Sequence, residues 1–561
     1  MKQRLSAILS KKMSLHLMWA IALGLFAIKL FLCSFQLMYA SPELSPIDDT
    51  LMVNLAKSIS DGNWLGEYNW LTLGKHSFFA LWLSVINTLG LNFLMAGQLL
   101  FGLACFTLLC ALKPMFKTNW ARLFVFAIVL FTPASWAEYS LRVYRDNIYP
   151  ALVLFALSGI LGAFVRLKEP LLNSLGYHAI AGAALCAAWL CHEDNALLLP
   201  FIVCAFIVYA LFLFLSKDIT KRLARLAVCL VPIMIFAGGI SAWCGMNKQY
   251  YGRFIISDFT SSEFNDAMGA LSRAYPDRQK AYNLVPRETR LALYEVSPTL
   301  KTIEPYLETD EIYGSYGSDV DKEILSGGLH WAIRKAAGEA GYYKTAALAQ
   351  EFYTDVAKEV NQACDDGLLP CSRKMSGVFA PYKNEYFIPT VKNFFEELKV
   401  MLFFEQTKPT ADFSIARPDQ SEDWESYMHC TSTKSAIEGT DKPFFEPINK
   451  LMYFKLNFFT WVQRILIFPM LIISAMWCFK YTKRTIKNRK NGLPFDLLGT
   501  ILMLGFFLTG LLRVAAMAYF MAVIFSVGAY LMYLSAACAI MLAFLAYCTA
   551  KAAEDFALTP P

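Results

Sequence analysis

Two adjacent carboxylates, Asp48 and Asp49, follow the first long apolar run of the chain. They stand in Ser45-Pro46-Ile47-Asp48-Asp49-Thr50, directly before a short amphipathic pattern over residues 51–57. A positioned carboxylate can remove a proton from an attacking hydroxyl group, and it can ligate a hard cation. An Asp before a helix can also be an N-cap, accepting a hydrogen bond from the first turn. The local sequence is compatible with both roles.

Other acids, bases and histidines stand between later apolar runs. They are Lys75 and His76 in the same loop as the Asp pair, Glu138, Arg142, Arg145 and Asp146 in AEYSLRVYRDNIYP, His192, Glu193 and Asp194 in CHEDN, and Arg513. Charges at membrane depth are costly unless they are paired or hydrated, so their gathering on one side predicts a polar cavity there. The alternatives are snorkelling for the two AEYSLRVYRDNIYP arginines, a capping turn for CHEDN, and a structural ion pair for Arg513.

The composition indicates which kind of secondary structure positions these residues. Of 561 residues, 56% are hydrophobic and only 17% are charged, whereas soluble domains carry about 25% charged residues. Several apolar runs reach the roughly 20 residues that a helix needs to cross a bilayer. The sequence therefore predicts an all-α polytopic membrane protein with about ten transmembrane helices. The net charge of +6 does not indicate a nucleic-acid partner, because its meaning lies in the loops that carry it.

The ten predicted spans divide the chain into three parts. They cover about 15–39, 92–112, 121–139, 148–165, 177–191, 196–216, 227–246, 453–478, 495–512 and 526–549, and the first is interpreted as a retained signal anchor. Residues 1–246 form a transmembrane module with spans one to seven and a first outer loop, 40–91. Residues 247–452 are a polar insert, and residues 453–561 carry spans eight to ten.

The distribution of Lys and Arg predicts the orientation. They collect in alternate segments, at Lys2, Arg4, Lys11 and Lys12, Lys113 and Lys117, Arg166 and Lys168, Lys217, Lys221, Arg222 and Arg225, and Lys480, Lys483, Arg484, Lys487, Arg489 and Lys490. By the positive-inside rule these segments are cytoplasmic. Both termini are then cytoplasmic in a multi-pass plasma-membrane protein, and the Asp pair and the insert face outside.

The insert is predicted to be an extracytoplasmic and mostly helical domain. Residues Leu348, Phe352, Val356 and Val360 recur every four positions on one helical face, and a second helix is predicted from Leu329 to Ala340. Residues 405–445 are predicted to be loop. The spacing of Cys364 and Cys371 allows a small disulfide-closed loop, which requires an oxidising compartment.

The first outer loop resembles that of the GT-C superfamily of polytopic glycosyltransferases, which use polyprenyl-phosphate-linked sugars. In that family the loop opens with an acidic pair, continues into a helix with a small "A..l..G.W" end, and carries a "GK" element before interfacial helices. The matching residues are Asp48-Asp49, Ala56 to Trp64, and Gly74-Lys75. A second acidic motif precedes the fourth span, where Glu138 and Asp146 stand. The family usually has Asp-Glu and Lys-Pro-Pro where this chain has Asp-Asp and Lys75-His76-Ser77.

The resemblance implies a glycosyltransferase that moves a sugar from a polyprenyl-phosphate donor to an envelope glycan, glycolipid or protein on the outer face. Asp48 would be the base, with Asp49 orienting it or binding a cation. Donor phosphate would bind Lys75, Arg142, Arg145 and Arg513, and a single displacement would invert the anomeric centre. Glu138, Asp146, His192, Glu193 and Asp194 would complete the polar site. Whether Mg or Mn takes part stays open, with Asp48, Asp146, Glu193 and Asp194 as candidate ligands.

Two other classes of protein remain as alternatives. One is a transporter or flippase for lipid-linked glycans, which should have broken spans in matching halves; no such halves are visible in the sequence. The other is a non-catalytic membrane module, in which the insert serves assembly and the Asp pair is a cap. In a non-catalytic module the outer acids and bases have no reason to converge.

Overall fold

The computed structural model describes residues 13–40, 42, 45–216, 219–377, 382–410, 421–432, 446–487, 496–525 and 527–558. In chain order the α-helices are α1 (Leu15–Cys33), α2 (Asp49–Ser60), α3 (Phe78–Thr88), α4 (Phe93–Ala111), α5 (Asn119–Leu130), α6 (Tyr149–Phe164), α7 (Leu172–Cys191), α8 (Leu199–Leu215), α9 (Arg222–Val228), α10 (Leu230–Tyr251), α11 (Ser262–Arg273), α12 (Arg287–Val296), α13 (Pro298–Lys301), α14 (Glu304–Leu307), α15 (Asp310–Tyr316), α16 (Ser326–Glu339), α17 (Ala346–Asp365), α18 (Phe387–Leu402), α19 (Ser421–Thr431), α20 (Glu446–Lys487), α21 (Asp496–Val523) and α22 (Leu531–Leu558).

The predicted all-α polytopic membrane class is confirmed. The strands among the described residues are β1 (Gly317–Ser318) and β2 (Glu323–Ile324), which form a two-residue antiparallel ladder. Eight described helices are long and apolar enough to cross a membrane, and α5 with the 3-10 segment Pro133–Leu141 makes a ninth if this pair, bent by 53°, is one span. The fourth predicted span is α6, whose 16 residues fall short of a full crossing. The described residues thus contain eight or nine candidates instead of ten.

The last helix is the centre of the bundle. Of its apolar window, 94% is buried, against 22% for α1 and 17% for the stretch that contains α9 and α10. Helices α5, α6, α20 and α21 all pack against α22. The C-terminal spans therefore belong to the same bundle as the N-terminal module, although the insert separates them in sequence.

The bend after α5 is stabilised by glutamine side chains from other helices. A bend frees backbone carbonyl groups, which need hydrogen-bond donors when they are buried. Gln463 Nε2 donates to the carbonyls of Ile128 and Phe131 at 2.9 and 3.4 Å. Gln98 Nε2 donates to the Ser135 carbonyl at 2.6 Å, and Lys29 Nζ donates to Ser135 Oγ at 2.8 Å. These buried polar residues hold the segment that leads to the Arg142–Asp146 motif.

Replacing Gln463 with Leu is expected to destabilise the protein by about 1–3 kcal/mol, because the two carbonyl groups lose their donor. The measurement is thermal unfolding of the detergent-solubilised protein. Phe458→Leu on the same helix is the matched control, because Phe458 is 57% exposed. An unchanged melting temperature in Gln463→Leu would contradict this account of the bend.

The insert contains its own hydrophobic core. Helices α11 to α17 form this core, which also packs against the end of α21. The two predicted helices are confirmed as α16 and α17, although Leu348 is 40% exposed and does not share the buried face of its partners. Cys364 and Cys371 form a disulfide with Cα atoms 5.6 Å apart. It closes the turn after α17.

The second half of the insert packs against the membrane-spanning module. Helix α18 lies along α21, and α19 packs against α2 and α3. The prediction of loop over 405–445 was wrong for residues 421–431, which form α19. Its composition is rich in Asp, Glu and Ser, and packing on the first loop outweighs that weak local preference. Several orientation markers, namely Lys2, Arg4, Lys11, Lys12, Lys217, Arg489 and Lys490, lie outside the described residues.

Candidate active site

A cavity of about 680 Å³ lies at the end of the bundle that carries the insert. Its wall comes from the first loop, from residues 144–146, from residues 192–194, from the insert and from the connection between α21 and α22. Segments far apart in sequence therefore meet at one place. The described lining includes Asp48, Lys75, Arg145, Asp146, His192, Glu193 and Asp194.

Asp48 occupies the N-cap position of α2, but its side chain makes no capping hydrogen bond. Its carboxylate instead forms an ion pair with Lys75 and accepts a hydrogen bond from the Tyr144 hydroxyl at 3.1 Å. Burial alone would raise the pKa of Asp48, but the charge and hydrogen bond of Lys75 bring it below its ordinary value. Asp48 is thus an ionised carboxylate that lines the cavity.

Lys75 lies between Asp48 and two aromatic rings. Its side chain is 8% exposed, and Nζ lies 5.3 Å from the ring centroid of Tyr144 and 5.4 Å from that of Trp331. Burial lowers the pKa of Lys75 below its ordinary value, although Asp48 opposes this shift. Lys75 therefore loses its positive charge at a lower pH than an exposed lysine does.

Asp49 is committed to a different partner and does not line the described cavity. Arg142 donates to both of its carboxylate oxygens, from Nη2 at 2.7 Å and from Nε at 3.1 Å. Asp49 is 2% exposed. A buried bidentate pair of this kind fixes geometry, and here it joins the start of α2 to the Arg142–Asp146 motif. Asp49 and Arg142 therefore lie outside the cavity lining and hold two of the segments that form its wall.

Arg145 and Glu193 form an ion pair in the cavity wall, with Nη1 and Oε2 2.5 Å apart. The second oxygen of Glu193 accepts a hydrogen bond from the His76 backbone N–H at 3.0 Å. The Nε atom of Arg145 is buried and has no hydrogen-bond partner among the described residues. Glu193 thus connects the CHEDN turn, the Arg145 motif and the segment that carries Lys75.

Arg513 pairs with Asp194 rather than lining the described cavity. Its Nη1 lies 2.8 Å from Asp194 Oδ2, and its Nε donates to the Tyr533 carbonyl at 2.6 Å. His192 Nδ1 lies 2.7 Å from Asp194 Oδ1. Asp194 therefore holds both His192 and Arg513, and Arg513 is placed behind the wall.

Asp146 differs from the other acids of the site. It is 3% exposed and lines the cavity, and within the described part of the chain its carboxylate makes no hydrogen bond or ion pair. Burial raises the pKa of Asp146 above its ordinary value. Glu138, predicted to share its place, is half-buried in the 3-10 segment Glu138–Leu141 and is not among the described lining residues.

The carboxylates are not arranged as a metal centre. In the described ranges, no three His, Cys, Asp or Glu side chains are grouped so that they could hold a metal ion. Asp48, Glu193 and Asp194 each face a cationic side chain instead. The predicted candidate ligands therefore do not fit a shared Mg or Mn ion in this geometry, and the chemistry proposed for the site uses none.

The insert contributes residues that the sequence did not predict for the site, chiefly Phe259, Tyr316, His330 and Trp331. Its attachment to the first loop is specific. Arg334 donates from Nε and Nη2 to the Trp70 carbonyl at 2.8 and 2.6 Å, and from Nη1 to Asp258 at 2.8 Å. The Asp258 backbone N–H donates to the Leu73 carbonyl at 2.8 Å. These buried hydrogen bonds of Arg334 and Asp258 hold in place the segment that ends in Lys75.

Comparison with known proteins adds little to this description. No protein-family model matches the chain, and no curated protein sequence matches it. Among solved structures, the chain is similar to the crystal structure of ArnT from Cupriavidus metallidurans in the apo state, with 12% sequence identity and a TM-score of 0.31. The similarity covers 96% of this chain and 76% of that chain. A match at this TM-score carries no weight for function, so the site is interpreted from its own geometry.

Proposed function

We propose that the chain is a membrane glycosyltransferase of the GT-C type. The observation that carries the proposal is the orientation of the Asp48 side chain. It makes no capping hydrogen bond and pairs with Lys75, in a cavity that Arg145 and Asp146 also line. A carboxylate beside buried cations suits a reaction that needs a base and a stabilised leaving phosphate. A non-catalytic module gives no reason for these groups to converge.

The proposed reaction moves a sugar from a polyprenyl-phosphate donor to a hydroxyl group of an envelope glycan, glycolipid or protein. The acceptor oxygen bonds to the anomeric carbon, and its proton passes to the Asp48 carboxylate. The bond between the anomeric carbon and the phosphate oxygen breaks, and the electron pair stays on the lipid phosphate. Lys75 and Arg145 stabilise that charge. One displacement of this kind inverts the anomeric centre.

The proposed location follows from the charge pattern of the loops. The cavity and the insert face the outside of the plasma membrane, and both termini are cytoplasmic. The disulfide of the insert supports this orientation, because disulfides persist in oxidising compartments. Polyprenyl-phosphate donors would reach the cavity from the membrane, and acceptors would reach it from outside.

The test uses polyprenyl phosphate, the product common to all such donors. Purified protein in nanodiscs is expected to bind it in native mass spectrometry, and to bind the uncharged polyprenol at least tenfold more weakly. Lys75→Gln should lose this preference. Lys57→Gln is the control, because Lys57 lies in the same loop and is 45% exposed. Equal binding of phosphate and alcohol by the wild type would refute the proposal. A panel of polyprenyl-phosphate sugars then identifies the donor by release of the phosphate.

The pH dependence of this binding is a further prediction. Because the pKa of Lys75 lies below its ordinary value of about 10.5, its charge is lost as pH rises through that lowered pKa. Above it, affinity for polyprenyl phosphate should fall by up to about tenfold per pH unit. The phosphate itself is fully ionised there, since its second pKa is about 6.

Lys75→Arg separates this cause from others. Arginine stays charged throughout, so the affinity of this variant should remain flat from pH 7 to 10. Binding is measured at each pH by titration with polyprenyl phosphate. Parallel alkaline losses in wild type and Lys75→Arg would assign the pH dependence to another group.

A further inference from the structure

The cavity has two walls of different chemistry. One wall holds Asp48, Lys75, Arg145 and Asp146, whose charges are the basis of the proposed function. The other wall comes from the insert and is mainly aromatic, with Phe259, Tyr316, His330 and Trp331. Since charged groups of the proposed reaction occupy the first wall, the second wall needs its own explanation.

Three rings of the insert wall form a compact group. The Phe259 centroid lies 4.7 Å from that of His330 and 4.9 Å from that of Trp331, and the last two are 5.5 Å apart. Trp331 is 5% exposed and packs closely against the first loop, where a Cβ atom on Gly74 would lie 3.1 Å from its ring. The rings are therefore held in fixed positions beside Lys75.

His330 is the polar member of this group of three rings. In the part of the chain that the structure describes, its ring nitrogens make no hydrogen bond, although the ring lines the cavity. Burial, with the charges of Lys75 and Arg334, lowers the pKa of His330 to about 3. A neutral imidazole carries one donor and one acceptor. It suits a neutral partner that both donates and accepts, such as a hydroxyl group.

The ligand chemistry follows from these two properties together. A wall of aromatic rings that includes a neutral hydrogen-bonding imidazole matches a sugar ring, which has an apolar C–H face and hydroxyl groups at its rim. A phosphate would find no cation on this wall apart from Lys75 at its border. A hydrocarbon chain would leave the His330 nitrogens without a hydrogen-bond partner, which is unfavourable. The cavity volume of about 680 Å³ lies within the range of known small-molecule binding sites, roughly 300–1,000 Å³.

We infer that the insert wall of Phe259, Tyr316, His330 and Trp331 binds a sugar ring of a substrate, so that the insert forms half of the active site. The inference rests on the proposed glycosyltransferase function, because only that function makes the bound sugar a substrate. The ring comes either from the donor or from the acceptor glycan, which share this chemistry.

Direct binding tests the wall without turnover. The probes are methyl hexopyranosides and methyl N-acetylhexosaminides, observed by saturation-transfer difference NMR with wild-type protein in nanodiscs. At least one probe should receive saturation from the wild type and from Asp48→Asn. His330→Leu and Tyr316→Ala should lose at least about two-thirds of that signal. Tyr306→Ala is the matched control, because Tyr306 lies on the insert and is 42% exposed.

The folded state of the variants is checked by binding of polyprenyl phosphate, which uses the other wall and should be unchanged in His330→Leu. A wild type without saturation of any probe, or equal signals in wild type and both wall variants, would overturn the inference. If polyprenyl phosphate binds and the sugars do not, the wall inference fails alone. If the sugars bind and polyprenyl phosphate does not, the proposed reaction fails instead.

Kinetics then distinguish the two sources of the ring once a donor is known. Donor hydrolysis in the absence of acceptor reports on the donor sugar alone. If the wall holds the acceptor, His330→Leu raises KM for the acceptor at least tenfold and leaves hydrolysis unchanged. If it holds the donor sugar, KM for the donor rises in both reactions. Unchanged KM values for both substrates would contradict binding at this wall.

Discussion

Replacing Asp48 with Asn is expected to lower glycosyl transfer by about 100-fold to 10,000-fold, the usual contribution of a general base. The amide keeps the size of the carboxylate and an oxygen that accepts from Lys75 and Tyr144, so the protein should remain folded. What is lost is the group that takes the proton of the acceptor. The measurement is the initial rate of polyprenyl phosphate release from the active donor, in the presence of acceptor, with wild type and variant side by side.

Two further variants make the result specific to Asp48. Asp61→Asn alters an exposed acid at the end of α2 and should leave the rate unchanged. Asp146→Asn tests the other cavity-lining carboxylate, whose pKa is raised by burial and therefore lies closer to that of an efficient base. Full activity of Asp48→Asn would remove Asp48 from the proposed role, and a simultaneous loss in Asp146→Asn would assign the base to Asp146.

The sequence predicted the membrane helices well because long apolar runs leave few alternatives in a bilayer. Each predicted span coincides with a described apolar helix. The exceptions to a count of ten are the bent segment after α5 and the short α6. The bend receives a hydrogen bond from the distant Gln463, and hydropathy does not report such contacts.

The sequence also predicted that residues of several loops meet in one cavity, but the roles within the set depend on tertiary structure. Asp48 and Asp49 are adjacent, yet one lines the cavity and the other binds Arg142 behind it. Side chains of successive residues at the start of a helix point in different directions. The residue at which α2 begins therefore decides which of the two aspartates faces the cavity. The sequence shows that two aspartates are adjacent, but it does not show which of them lines the cavity.

The insert wall could not be predicted from local pattern. His330 and Trp331 follow Gly327-Gly328 at the start of α16, where the sequence indicates only a helix. Their position beside Lys75 depends on the hydrogen bonds of Arg334 to Asp258 and to the Trp70 carbonyl of the first loop. Arg334 is 76 residues from Asp258 and 264 residues from Trp70 in sequence, and no periodicity connects these positions.

Replacing Arg145 with Gln is expected to lower transfer by about 100-fold to 1,000-fold, the effect of removing one donor from a developing oxyanion. It should also destabilise the protein by about 1–3 kcal/mol, because the Glu193 side chain, which is 26% exposed, loses the cation that pairs with it. A second substitution can separate the loss of activity from the loss of stability. Removing the charge of Glu193 as well, in Arg145→Gln/Glu193→Gln, should restore most of the stability, since the glutamine oxygen can still accept from the His76 N–H.

Activity should not return with stability in that double variant, because the cation that faces the lipid phosphate is still missing. Glu193→Gln alone provides the matched comparison and should keep most of its affinity for polyprenyl phosphate. Thermal unfolding in detergent and donor turnover are measured for all three variants. Wild-type turnover in the double variant would mean that Arg145 serves only to neutralise Glu193. Low turnover at restored stability separates the two roles, because a purely structural ion pair would recover both properties together.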